Sequence, residues 1–160
     1  MTISGPHTRH TTPRGRELTR LAVSATLHCL TGCAIGEVLG MVLGTALDWP
    51  NSTTLVVSIV LAFLFGYSLT IAPVLRSGLA LRAAVGVAFA ADTVSIAVME
   101  LVDTLVLVGW PGAMDAGLDS VLFWASLALA LAVAFAVTVP VNRALIARGK
   151  GHAVVHRYHH

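Results

Sequence analysis

"WPNSTTLVVSIVLAFLFGYSLTIAPVL", residues 49–75, contains no charged side chain. A helix that crosses a bilayer needs about 20 predominantly apolar residues, and this run exceeds that length. A second uncharged run, "SVLFWASLALALAVAFAVTVPVN", covers 120–142. Over the whole chain 56% of residues are hydrophobic and 11% charged, where ordinary soluble domains carry about 25% charged residues. The 160 residues therefore read as an integral membrane protein with no room for a further soluble domain.

Working outward from the first run, "DWPNS" (48–52) separates it from an earlier apolar segment, with Pro50 as the stop. "RSGLALR" (76–82) turns into a third segment, which "GWPG" (109–112) ends, and "AMDAGLDS" (113–120) is a polar loop. The expected fold is all-α, a four-helix transmembrane bundle with spans at about 18–47, 53–75, 79–108 and 121–147. Pro73 and Pro140 fall late in their helices and should kink them. Residues 1–17 read as a disordered tail and 148–160 as a basic, histidine-rich tail.

The basic residues orient the bundle. All ten Lys and Arg lie near the N-terminus (Arg9, Arg14, Arg16, Arg20), in the middle turn (Arg76, Arg82) or at the C-terminal end (Arg143, Arg148, Lys150, Arg157). The other two loops hold Asp48, Asp115 and Asp119, with Trp49 and Trp110 at their edges. The positive-inside rule and the aromatic belt then agree on both termini being cytoplasmic.

Two segments resist a purely apolar reading. "LHCLTGCAIGEVLGMVLG" (27–44) carries His28, Cys29, Cys33 and Glu37 among glycines repeated every fourth residue. At 100° per residue, Cys29, Cys33, Gly36, Glu37, Gly40 and Gly44 fall within one arc of about 100°. Gly32 lies just outside it. Gly32, Gly36, Gly40 and Gly44 form a small-residue stripe that lets another helix approach closely. Cysteine can be a simple buried hydrophobe in such a stripe. Glu37 cannot, because a charge at mid-bilayer costs roughly 2.5–3.5 kcal/mol or more. It must be protonated, paired or turned to a polar cavity. "LTGC" (30–33) also looks like a lipoprotein processing site, but His28 interrupts the preceding apolar run and 38–47 stays apolar where a polar tether is usual. The two cysteines, four residues apart on one helix, are poorly placed for a disulfide.

The second such segment is "ADTVSIAVMELVD" (91–103). Asp92, Met99 and Asp103 share a narrow helical face with Glu100 on its flank and Ser95 to the other side. No basic residue lies at the apolar depth of any span, so the counter-charge must be a proton, a bound cation or water. Counting about 1.5 Å per residue from Arg20 and Arg82, Cys29 and Asp92 lie about 14–15 Å deep. Cys33 comes at about 20 Å, and Glu37, Met99 and Glu100 near 26 Å. If the glycine face of the first helix packs on the acidic face of the third, Cys29 meets Asp92, with His28 next in line. Glu37 then meets Met99 and Glu100, and Asp103 lies near the outer mouth.

Thiolate and thioether favour copper(I) or zinc, and imidazole suits zinc or copper. The expected function is an integral membrane protein that binds or moves a soft transition-metal ion, copper before zinc, through Cys29, Cys33, Glu37, Asp92, Met99, Glu100 and His28. An alternative is a structural or accessory subunit, in which the stripe docks a partner and a polar seam fixes register. Another is a proton-coupled carrier that uses the same carboxylates without the thiols. In the C-terminal tail, His152 and His156 would share a helical face at metal-ligand spacing, although a solvated polar tail that meets anionic lipid through its Arg and Lys is the preferred reading. Four helices are few for a pathway, so a homo-oligomer or a partner membrane protein is expected beside the bilayer itself. No catalytic motif, phosphate loop or nucleic-acid feature is present, and no enzyme is expected.

"LHCLTGCAIGEVLGMVLGTAL", "FAADTVSIAVMELVD", "PGAMDAGL" and "RGKGHAVVH" together resemble an uncharacterised family of small bacterial membrane proteins, a domain of unknown function, over about 27–156. The resemblance implies a multi-pass protein of the bacterial inner membrane and no established activity. Some members look copper-associated by name.

Overall fold

Helix α1, Arg16–Ala46, stops where the chain first finds a left-handed residue. Asp48 adopts φ 52°, the Leu47 amide donates to Leu43 and the Trp49 amide to Gly44, both at 2.9 Å. This is a Schellman-type cap with Asp in the place glycine usually takes, followed by Pro50, which cannot continue the helix. In this computed structural model, residues 15–76, 78 and 80–148 are described. Helix α2, Asn51–Arg76, starts two residues earlier than expected. The Pro50 carbonyl accepts from the Thr53 and Thr54 amides at 3.0 and 3.1 Å, so Pro50 opens α2 as well as closing α1. Helix α3 is Leu81–Gly109, a short 3-10 turn follows at Ala113–Asp115, and α4 is Val121–Ala147. The Ser120 hydroxyl caps α4 by accepting from the Leu122 amide at 3.2 Å.

The described residues are helix and connecting turns, with no strand among them. Three helices, α1, α2 and α4, are long and apolar enough to cross a membrane. The third expected span is not straight: α3 bends by 46° between Leu81–Ala90 and Asp92–Gly109, and it makes a fourth span when the two halves are taken as one.

The glycine stripe decides how α1 and α2 meet. A Cβ added at Gly32 would stand 2.7 Å from the Gly66 backbone, and one at Gly36 would collide with the backbone of Ala62. At Gly40 it would meet Ser58, and at Gly44 Thr54. Each step of four residues along α1 is matched by four in the reverse direction along α2, so the two are antiparallel with backbones in near contact. The stripe is therefore filled within the chain.

Apolar clusters fix the other helices. Leu18 and Ala22 of α1 pack with Ile146 of α4 at one end. At the other end Phe123 and Leu127 of α4 pack with Val38 and Met41 of α1. Helices α1 and α4 are thus antiparallel as well. In the centre, Cys29 and Cys33 of α1 meet Ala62 of α2, Ile96 and Met99 of α3 and Ala134 of α4. Arg16, Arg20, Arg76, Arg82, Arg143 and Arg148 gather at one end of the bundle, and Asp48, Asp115 and Asp119 at the other. On the far face of α2, Val56, Val60 and Leu64 stay exposed, as suits a surface turned to acyl chains.

Candidate functional site

Helix α1 divides its inner surface between two neighbours. Its glycines take α2, and the adjoining edge turns Cys29, Cys33 and Glu37 toward α3. The sequence reading assigned both edges to α3. Correcting that moves the glycines away from the acids and leaves the thiols and Glu37 facing them.

The facing side chains form a ladder. Cys29 lies beside Asp92, and the Thr70 hydroxyl of α2 faces the Asp92 carboxylate. One step further the Cys33 thiol donates to Glu100. At the next step the Glu37 carboxyl lies beside that of Asp103, near enough for one proton to bridge them, with Glu100 close by. No other donor hydrogen-bonds either oxygen of Glu37, and one oxygen each of Glu100 and Asp103 is also without a hydrogen bond. Glu37 is 9% exposed, Glu100 5% and Asp103 2%. The expected register is thus shifted by about one turn on the outer side: Asp103, expected near the mouth, is the partner of Glu37. Met99 sits in the apolar centre with the two cysteines. The half-buried ring of His28 engages the backbone of Leu69 on α2 rather than the Cys29–Asp92 step.

Above the outermost step the bundle opens into a cavity of about 240 Å³. Glu37, Glu100 and Asp103 line its base, and Asp48, Asn51 and Asp115 its mouth. The three mouth residues are exposed, and Asn51 Nδ2 donates to Asp115 Oδ1 at 2.7 Å, tying the start of α2 to the loop before α4. The cavity therefore opens at the acidic end of the bundle.

Both cysteines are free and buried, and α1 runs unbroken through the LTGC stretch. Among the described residues no group of three or more His, Cys, Asp or Glu side chains is arranged to hold a metal ion. The expected ligands stand on successive steps rather than around one point. His152 and His156 lie outside the described residues.

Sequence reasoning missed a second polar cluster toward the basic end. Asn142 Nδ2 of α4 donates to Thr26 Oγ1 of α1 at 2.9 Å, and Ser95 of α3 donates to Asn142 Oδ1. Thr26 passes its own proton to the Ala22 carbonyl at 2.8 Å. The signal was present, since Asn142 is the amide that closes the second uncharged run. Asn142→Ala removes two interhelical bonds worth about 0.6 kcal/mol each on average in a membrane and leaves a void. We expect a loss of about 1–3 kcal/mol, read as a lower melting temperature in detergent, and a smaller loss for Ser95→Ala, which removes one bond.

A family model described as a domain of unknown function, DUF4396, matches residues 20–151. No curated protein and no solved structure matches the chain.

Proposed function

We propose that this chain, which belongs to the DUF4396 family, is a membrane protein that carries protons or small cations through the interior of its helix bundle. The observation that carries this reading is the ladder of four buried carboxyl groups, Asp92, Glu100, Asp103 and Glu37, the last three lining one cavity. No Lys or Arg lies between Arg20 and Arg76 or between Arg82 and Arg143, and the cavity lined by Glu37, Glu100 and Asp103 has neither in its wall. Intramembrane carboxylates without a basic partner bind protons or cations. We further propose four spans with both termini cytoplasmic, from the gathering of arginines at one end. The membrane is the bacterial cytoplasmic one, on the resemblance to small bacterial membrane proteins. No residue is assigned a catalytic role. A homo-oligomer or partner subunit, which so small a bundle calls for, would dock on a face other than the glycine stripe.

A second reading keeps the soft metal, copper before zinc. It is favoured by one specific observation: Cys29, Cys33 and Met99 meet in a single buried cluster beside two of the carboxyls. Vesicles reconstituted with the purified chain and loaded with a pH-sensitive dye separate the two. Under an imposed gradient, Glu37→Gln combined with Asp103→Asn should lower ion flux to that of protein-free vesicles, and Cys29→Ser with Cys33→Ser should leave it near wild type. Flux and copper content lost together in the cysteine variant, with the acid variant unaffected, would overturn the carboxyl reading in favour of the metal.

A further inference from the structure

We propose that the cavity at the acidic end is a binding site for one hydrated divalent cation of the hard, oxygen-preferring kind, such as magnesium or manganese. This rests on the ion-carrying reading and names the ion.

The size of the cavity comes first. A cavity needs only about 10–15 Å³ of this kind of space to hold one water, so about 240 Å³ has room for an ion with a six-water shell. The donors come next. The polar lining of the base is Glu37, Glu100 and Asp103, while Cys29, Cys33 and Met99 lie below it and do not line the cavity. Met41 and Met114 form part of the wall, but no thiol does. Carboxylate and water suit magnesium and manganese, whereas soft ions seek thiolates.

The charge is unbalanced in the same direction. Five carboxyl groups, those of Glu37, Glu100, Asp103, Asp48 and Asp115, line one cavity with no Lys or Arg in its lining. An acidic cluster alone would say little. Here a second observation points inward: the Glu37 carboxyl is more than nine-tenths buried, no donor other than a proton shared with Asp103 reaches its oxygens, and it lines the cavity base. Magnesium gives up its waters reluctantly and keeps several while bound through one or two carboxylates. Carboxyls spread over a cavity base hold such an ion through its water shell rather than by stripping it.

The test uses the full-length chain in detergent and follows free hydrated manganese by electron paramagnetic resonance. Wild type should bind manganese, and magnesium should displace it where silver does not. Glu37→Gln with Asp103→Asn should weaken binding by at least about tenfold. Asp119→Asn, on the exposed loop outside the cavity, should leave it unchanged. If the double variant does not fold, Asp103→Asn alone should weaken binding, and magnesium against silver on wild type still decides. No binding by folded wild type, equal binding by a folded acid variant, or displacement by silver alone overturns the proposal. Proton flux in vesicles without manganese binding sinks this inference and leaves the carrier reading standing. Manganese binding with no ion crossing the vesicle wall does the reverse.

Discussion

Gly36→Leu is expected to leave no folded protein. The Cβ alone would collide with the backbone nitrogen and Cα of Ala62, and backbone cannot swing aside as a side chain can. Overpacking a core by a few methylenes costs about 1–3 kcal/mol. A whole isobutyl group driven into a facing helix exceeds that range and separates α1 from α2. The neighbouring glycines grade the effect. Gly32 also meets backbone, that of Gly66, whereas Gly44 meets only the side chain of Thr54. Gly44→Ala should therefore be milder than Gly36→Ala, and Thr54→Ala should relieve it in part. Gly86 of α3 has open space around its Cβ position, so Gly86→Ala serves as the neutral control. The measurement is the monodisperse fraction on size exclusion in detergent, followed by thermal melting. A Gly36→Leu protein that elutes and melts like wild type would mean that α1 and α2 do not pack through this stripe.

The same stripe marks where the sequence was legible and where it was not. Helical type followed from apolar length, and helix ends are legible where Asp48, Pro50 and Ser120 act locally. The direction in which each polar residue points is not local. An arc of about 100° on a bundle helix is wide enough to face two neighbours, so Gly36 and Cys33 could share an arc and still serve different partners. Depth was counted along straight helices from Arg20 and Arg82. The 46° bend in α3 breaks that assumption, and Asp103 rather than Met99 came to lie opposite Glu37. The Thr26–Asn142–Ser95 bonds join residues from three helices, and no spacing rule within one segment could have paired them.

Asp103→Lys is expected to fold and to abolish ion passage. An unpaired Lys at the centre of a membrane helix costs about 2.5–3.5 kcal/mol or more. At position 103 the new ammonium would not be unpaired. It would enter the cavity beside Glu37 and Glu100, where no positive group now stands, and stay in place as a tethered counter-ion. Ile96→Lys supplies the contrast on the same helix. Ile96 is fully buried in the apolar centre, lies against Gly66 and does not line the cavity. That substitution buries a charge without water and should prevent folding. Two measurements decide the matter. The folded yield of Asp103→Lys should approach wild type while that of Ile96→Lys collapses, and vesicles bearing Asp103→Lys should show the flux of protein-free ones. The reason is occupancy: a fixed cation at the base excludes a mobile one by like-charge repulsion, which near protein walls is stronger than in bulk water. Asp103→Asn separates occupancy from simple loss of an acid. With Glu37 and Glu100 still present it should weaken passage, not end it. If Asp103→Lys fails to fold as completely as Ile96→Lys, the carboxyls at the base do not present an anionic surface to a cation. If it folds and still passes ions at the wild-type rate, they present one that lies off the path.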